Sequence, residues 1–429
     1  MGRRKRKRST KEGEGEGEAE PSESATPSAA TVTSTRAKNE PKSGGKGGNG
    51  VPYRTHVSIA IPGSIVANAQ GGELQSYMVG IIARFAAVFR VGEIIVFSDK
   101  GEAELSSGFS LNRALGGNEL TGGSGRSRGG VDRRRDGDND RGGYRGDRDR
   151  GRDRDRDRDQ GDGQLAPSAR HDDQSKAEQA FAPSDLFMAR LLQYLETPQY
   201  LRKALFPVHP DLRYAGLLNP LDAPHHLRFR EWACYREGVV TRANRTKGRG
   251  GEADADSSNM ADVGLEQPVR IDRFLRVGTR VTLRLPERRP ARLSEITGRT
   301  VSPADPWRED GMYWGYTVRL APNLAAVVDN CPPNLGRYDL VLGTSERGEN
   351  MFDPNVAFSL PPTVKNLLVV FGGVQGLEHA RDADDSVRGR DDLFHRWLNV
   401  CPTQGSRTIR TEEAIGITLS ALQPHLGDR

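Results

Sequence analysis

Along this chain, segments whose apolar residues keep a regular period alternate with segments that keep none. Residues 57–61 (VSIAI) are nearly continuously apolar and stop at Pro62 and Gly63, the pattern of a strand buried on both faces. In "GELQSYMVGIIARFAAVFRV" (72–91), Leu74, Met78, Ile81, Ile82, Phe85, Ala86 and Phe89 recur at spacings of three and four, which predicts an amphipathic helix. The β-branched run "EIIVFSD" (93–99), bounded by Gly92 and Asp99, completes a strand–helix–strand unit. Such a crossover predicts that the two strands lie parallel in one sheet.

Periodicity is lost over 100–178, where "DRRRDGDNDRGGYRGDRDRGRDRDRDRDQGDG" alternates charge sign without apolar content. That composition reads as a disordered insertion in a surface loop, and its interleaved Asp weakens the field with which an Arg-Gly tract would hold RNA. Helical spacing returns in "SDLFMARLLQYLETPQYLRKALF" (184–206), with Ser184 or Asp185 as cap and Pro198 as an interruption. "HPDLRYAGLLNPLDAPHH" (209–226) reads as loop. From 229 to 320 the period becomes two in "EGVVTR", "PVRIDRF", "TRVTLRLP", "ARLSEITGRTVSP" and "MYWGYTVRLA". Five short strands of this kind fit a small barrel of the oligonucleotide-binding sort, and a generic β insert shares the pattern. The α/β pattern resumes in "YDLVLGTSERG", "NLLVVFGGVQGLE" and "LNVCPTQGSRTIRTEEAIGITLSAL", each an apolar run ending in a Gly-containing loop. Those three loops belong at the carboxyl edge of a parallel sheet, where open α/β folds bind ligands.

The resulting domain reading is a polar tail over 1–50 and an α/β domain in three pieces, 51–99, 179–228 and 321–429. The insertion over 100–178 and a β-barrel over 229–320 interrupt it. The tail lacks large apolar residues and so cannot offset the entropy of ordering. At 429 residues the length suggests about two or three domains. An apolar fraction of 35% is low for a globular chain, yet it rises outside the low-complexity segments. No apolar run is long enough to span a bilayer, and the basic start is not followed by an apolar stretch, so neither a membrane anchor nor a secretory signal is expected. Cys234, Cys331 and Cys401 are too scattered for a disulfide framework or a zinc site, and His225 with His226 lacks a third ligand at metal spacing. No metal is therefore expected. The net charge is +5, and "RRKRKR" at 3–8 reads as a nuclear-import or nucleic-acid tail.

Glycine at strand ends lets a ligand approach the backbone. "GTSERG" and "GGVQGLE" reproduce neither the dinucleotide fingerprint nor a Walker loop. Phosphate cradling is thereby disfavoured, and a ligand held by backbone groups around an uncharged ring, such as the adenosine of S-adenosylmethionine, suits the loops better. An unrelated nucleotide-binding α/β enzyme is the weaker reading.

Seven dispersed stretches, "IPGSIVANAQGGELQSYMVGIIARFAAVF", residues 188–207, "GLLNPLDAPHH", "YWGYTVRLA", "GTSERG", "VVFGGVQGLE" and "CPTQGSRTIRTEEAI", make the chain resemble the SPOUT-class RNA methyltransferases of archaea and eukaryotes. The resemblance covers residues 52–425 apart from the charged insertion. It implies an α/β domain with a C-terminal trefoil knot, an inserted oligonucleotide-binding-like barrel, and a homodimer with its interface beside the knot. A knot is a topology that strand pattern alone would exclude as a rarity. S-adenosylmethionine is the implied cofactor, and RNA, ribosomal RNA foremost with a uridine N3 as target atom, the implied substrate. Nuclear or nucleolar residence, with spindle or kinetochore as further sites, goes with it. A second reading keeps the scaffold as a non-catalytic RNA-binding or assembly factor in ribosome biogenesis or at mitotic structures.

Carried onto this chain, the resemblance implies a first cofactor loop of Gly343, Thr344, Ser345, Glu346, Arg347 and Gly348. The second is Phe371, Gly372, Gly373, Val374, Gln375, Gly376 and Leu377. The third runs from Cys401 through Gln404, Gly405, Ser406, Thr408 and Ile409 to Thr411, with Leu377 and Ile409 as apolar walls around the adenine. Methyl transfer depends chiefly on orientation. Arg84, Arg407 and Arg410 are the candidate catalytic residues, able to hold a phosphate or the target base bidentately. Glu412 and Glu413 could serve as a base, but two Glu opening a helix are more often dipole partners and caps. Trp314 and Tyr316, on the expected barrel, together with Arg347, are the candidate RNA contacts, with inward core packing as the competing fate of the rings.

Overall fold

A computed structural model of the protein describes residues 55–99, 181–242, 256–290, 292, 296–355 and 358–426. The tail read over 1–50 and the insertion read over 100–178 lie outside the described residues.

Six strands form one parallel sheet: β1 (His56–Pro62), β2 (Glu93–Phe97), β8 (Thr317–Ala321), β9 (Leu340–Asn350), β10 (Asn366–Val370) and β11 (Arg396–Asn399), in the order β11-β9-β10-β1-β2-β8. β1 and β2 pair as the strand–helix–strand pattern predicts, Ile59 beside Ile94, with helix α1 (Gly72–Val88) between them. Alternate residues of the strands enter different layers. Ile59, Ile61, Ile94, Val96 and Val369 pack with α1, α2 (Pro183–Glu196) and α7 (Thr411–Leu422). Ala60, Ile95, Phe97, Leu368 and Val370 pack with α5 (Leu324–Asp329) and α6 (Leu377–Ala383) on the other face. Helices on both faces explain why these strands read as unbroken apolar runs, each large side chain contributing about 1.5–3 kcal/mol by burial.

The helix starts differ in detail from expectation. Ala182 is the N-cap of α2, Pro183 fills its first turn, and the Asp185 carboxylate reaches back to accept the Ala182 N–H at 3.3 Å. Neither Ser184 nor Asp185 is the cap residue. Pro198 does end the run, because α3 (Gln199–Leu205) starts after it. Helices α1 and α7 approach so closely that a Cβ on Gly416 would stand 2.5 Å from the Phe85 ring.

A five-stranded barrel closes in the order β3-β4-β5-β7-β6, from β3 (Tyr235–Thr241), β4 (Ser257–Asp262), β5 (Val269–Arg276), β6 (Arg280–Arg284) and β7 (Thr297–Val301). The expected number of strands is present, but the membership differs. Ser257–Asp262, too polar to stand out in the sequence, supplies β4, whereas Thr317–Ala321, grouped with the barrel, is the edge strand β8 beside β2. A period of two reports a half-covered strand and cannot say which sheet it joins.

The barrel is keyed to the sheet domain through buried charge. Arg280 Nη1 lies 2.7 Å from Glu196 Oε2 at the end of α2, and its Nε lies 2.7 Å from Glu237 Oε2. Burial opposes ionisation of Glu196, but the Arg280 guanidinium and His225 overcome it and hold this carboxyl well below the usual range.

Candidate functional site

The three Gly-containing loops meet at the carboxyl edge of the sheet. Pairing between β9 and β11 jumps from Gly343–Trp397 to Glu349–Leu398, so Thr344–Gly348 leave the strand as a long bulge and not as a loop after its end. A Cβ on Gly348 would stand 2.7 Å from the Leu398 carbonyl carbon, so only glycine lets the returning strand pass this close. Side chains then tie the loops together. Thr344 Oγ1 donates to the Val370 carbonyl at 3.1 Å, Ser345 Oγ donates to Glu378 on α6, and Asn399 Nδ2 donates to the Glu346 carbonyl at 2.7 Å. Thr411 Oγ1, at the start of α7, donates to the Gly372 carbonyl at 2.9 Å. Gly376 has φ +89°, and a Cβ on Gly372 would stand 2.2 Å from the Leu377 nitrogen. The second loop therefore requires glycine twice within five residues.

Exposure separates the floor of this edge from its rim. Gly343, Phe371 and Leu377 are buried, Leu377 within the core beneath the sheet, so it supports the second loop from below and does not form an exposed wall. Thr344, Gly372, Gly373, Gly376, Cys401, Gln404 and Ile409 are partly buried; Glu346, Gln375, Gly405, Ser406 and Thr408 are exposed. The apolar side chain standing at the rim is Val374. Among the described residues, chain neighbours aside, nothing lies within 4 Å of a Cβ built on Gly405. The second loop carries no charged side chain, and the third presents backbone and hydroxyl groups beside one partly buried isoleucine, with Arg407 and Arg410 turned to the exposed rim. A donor set of this kind fits an uncharged heterocycle with a short polar tail, as in a nucleoside cofactor, and keeps its cations, Arg347, Arg407 and Arg410, at the exposed rim.

Two carboxylates to which the sequence reading gave no part in this site, Asp99 beside the second loop and Asp185 behind it, come together here. Ser64, just after β1, donates to Asp99 Oδ2 at 2.5 Å, and a Cβ on Gly373 would lie 3.4 Å from that same oxygen. Asp185, 1% exposed, packs against Gly63 from the start of α2. Burial, reinforced by the negative charge of Asp99, pushes the Asp185 carboxyl up to about 7. The only sequence signal was an Asp closing the strand "EIIVF" at the ligand-binding edge of the sheet. Its meeting with residues near 64, 185 and 373 is a product of the fold.

The candidate arginines are placed in different ways. Arg84 Nη1 donates to the carbonyls of Leu221 at 2.5 Å and Pro220 at 3.2 Å, binding α1 to that loop. Arg407, Arg410 and Arg347 are exposed at the loop rim. Glu413 accepts the Arg410 N–H at 2.9 Å as the cap of α7, which bears out the helix-start reading for that residue. Glu412, beside it, is buried.

The expected RNA-stacking role of Trp314 and Tyr316 needs correction. Both rings are buried between barrel and sheet, Trp314 Nε1 donating to Glu237 Oε1 at 2.6 Å and Tyr316 Oη to the Leu192 carbonyl at 3.0 Å. Their faces pack inside the protein, so no base can stack on them. His225 and His226 occupy the same junction, their Nε2 atoms 2.9 and 2.6 Å from the Glu196 carbonyl oxygen.

Comparison with known proteins finds relatives along most of the chain. Over 394 residues the chain is 40% identical to the human protein "28S rRNA (uridine-N(3))-methyltransferase", covering 91% of this chain and 83% of that one. The Drosophila melanogaster protein of the same description is 38% identical over 399 residues, 91% of this chain and 67% of its own. The Mus musculus protein is 40% identical over 379 residues, 88% and 78% of the two chains. Residues 56–422 match the family described as "Putative RNA methyltransferase". With cross-linked glycine loops at the carboxyl edge of its sheet and that match running from β1 to the last residue of α7, the chain belongs to this RNA methyltransferase family.

Proposed function

We propose that this protein transfers a methyl group from S-adenosylmethionine to N3 of a uridine in the RNA of the large ribosomal subunit. The observation that carries the reading is the set of three loops joined by Thr344, Ser345, Asn399 and Thr411, in a chain whose human, fly and mouse relatives bear that activity in their names. The backbone of Gly372–Gly376 and of Gln404–Ile409, with Gly343, Thr344, Glu346, Phe371, Leu377 and Cys401 behind them, would hold the cofactor. Bound there, it supplies an electrophilic methyl group. The chain's own task is orientation and proton management, since uridine N3 carries a proton that must leave. Asp99, its Oδ2 held by Ser64 next to Gly373, is the carboxylate placed to accept that proton, and Arg407 and Arg410 at the rim suit the phosphate or carbonyl groups of the RNA.

A trefoil-knotted C-terminal part belongs to the same reading, supported by the resemblance of the three loops to those of the SPOUT class. Leu74, Tyr77 and Val88 form an exposed apolar stripe on α1, which supports a homodimer beside the knot. The basic cluster at 3–8 supports nuclear residence.

Nucleoside mass spectrometry of large-subunit rRNA from cells with and without this chain tests the reading, alongside calorimetry of S-adenosylmethionine with the full chain. Loss of N3-methyluridine together with micromolar cofactor binding is the expected result. An unchanged N3-methyluridine level with no cofactor binding would refute it and leave the non-catalytic assembly role.

A further inference from the structure

The outer wall of the barrel carries an aromatic and basic feature that the methyl-transfer site does not use. Along β5 the pairing with β4 runs Ser257–Arg276 and Ser258–Leu275, then resumes at Met260–Arg270. One residue of β4 therefore faces four of β5, and within that bulge Asp272, Arg273 and Phe274 are exposed. The base of the bulge is pinned. Ile271 stays in the barrel core, and Asp272 Oδ1 accepts the Thr300 N–H at 2.9 Å and the Thr300 hydroxyl at 2.7 Å from β7. At its crest Phe274 is 66% exposed. A folding barrel would gain by burying that ring, so its display on a fixed bulge calls for a partner.

The charge around the ring indicates which partner. Strand β5 carries Arg270, Arg273 and Arg276 against one Asp. Other arginines of the barrel are committed: Arg280 to Glu196 and Glu237, Arg284 to Glu309, and Arg289 to Glu266, all at 2.5–2.8 Å. Around Phe274 the pairs are loose. Arg273 is 3.8 Å from Asp272, whose oxygen already serves Thr300, and Arg276 is 4.0 Å from Asp256, both guanidinium groups well exposed. Among the described residues Arg270 has no carboxylate within 4.0 Å, and neither does exposed Arg299 on the adjacent strand β7. A single exposed aromatic among uncommitted guanidinium groups is unlike the contiguous apolar patch of a protein interface. It matches a polyanion with accessible ring faces, and a ring face is accessible only where bases are unstacked.

We infer that the β5 wall of the barrel, with Phe274 as stacking platform and Arg270, Arg273, Arg276 and Arg299 as phosphate contacts, docks single-stranded RNA flanking the target nucleotide. This inference rests on the RNA methyltransferase reading and assigns the substrate-holding role to a face that excludes Trp314 and Tyr316.

The test is fluorescence anisotropy with the full-length chain and a uridine-containing single-stranded RNA, a duplex of the same sequence, and a poly-glutamate peptide. Phe274→Ala is expected to weaken single-strand binding about tenfold, within the range for loss of one base–aromatic stack. Phe274→Tyr restores it. Arg273→Ala and Arg276→Ala each weaken binding and reduce the slope of log affinity against log salt by about one. S-adenosylmethionine binding and the melting temperature stay at wild-type values in all four variants, since these side chains are exposed and lie on the barrel, away from the three loops. Wild-type single-strand affinity in Phe274→Ala, or a loss confined to duplex or to poly-glutamate, overturns the inference. A wild-type protein that binds no cofactor but shows the same single-strand losses in the variants refutes the methyltransferase reading and sustains the docking surface.

Discussion

Replacing Asp185 by Asn should make the protein more stable at alkaline pH and leave it nearly unchanged at acid pH. The folded protein raises this carboxyl from its ordinary 3.8 to about 7, burial being the main cause and the Asp99 charge an added one. A shift of about three units corresponds to about 4 kcal/mol, at 1.36 kcal/mol per unit. The sign follows from proton linkage. Because the folded state holds the proton more tightly than the unfolded chain, the favourable contribution is complete below about pH 4. It declines as pH rises between the two pKa values and is gone above about pH 7. Asparagine has the same shape, stays neutral throughout, and keeps an oxygen to accept the Ala182 N–H now bound at 3.3 Å. Urea unfolding of Asp185→Asn and wild type at pH 5, 6.5 and 8 reads the effect, since other titrating groups cancel in the difference. The variant should gain on the wild type with each step, by about 2–4 kcal/mol in total. A difference that stays constant across the three pH values would refute the claim that a buried, reluctantly charged carboxyl sits behind the second loop.

Gly372→Ala would put a Cβ 2.2 Å from the Leu377 nitrogen. Its second loop must move, so S-adenosylmethionine affinity in calorimetry should fall by at least about tenfold while far-ultraviolet circular dichroism is unchanged, each tenfold being about 1.4 kcal/mol. Glu237→Gln leaves one carbonyl oxygen where Arg280 Nε, Thr282 Oγ1 and Trp314 Nε1 now converge at 2.6–2.7 Å. A cost of about 3–5 kcal/mol in urea unfolding is expected for breaking such a buried pair, and a cost near zero would mean that the junction is open to water.

The legible parts of this fold are those whose periodicity arises within one element. Unbroken apolar runs such as "VSIAI" and "NLLVV" are buried on both faces, and α1 shows its spacing plainly. Three glycine loops could be assigned to one sheet edge because parallel strands place their ends together, and there Gly348 and Gly372 are needed for room against backbone and Gly376 for its φ of +89°. The misassigned strands have an equally local explanation. "SSNMAD" is a weak pattern rescued by closure of the barrel, and "TVRLA" sends Val318 and Leu320 to one layer and Arg319 and Ala321 to the other, a period of two that fits either sheet. Aromatic residues were ambiguous for the same reason: Trp314 and Phe274 differ in what packs against them, which the sequence does not contain.

The α/β class, the β domain, the glycine loops and the helix-start role of Glu413 could be read along the chain, because each depends on interactions among residues close in it. Folding in three dimensions is what brings Asp99, Ser64, Asp185 and Gly373 to one corner, locks the barrel to α2 through Arg280, and leaves Phe274 exposed where Trp314 is buried. Those facts depend on burial and on contacts between segments far apart along the chain, and such contacts exist only after the sheet and the barrel have closed.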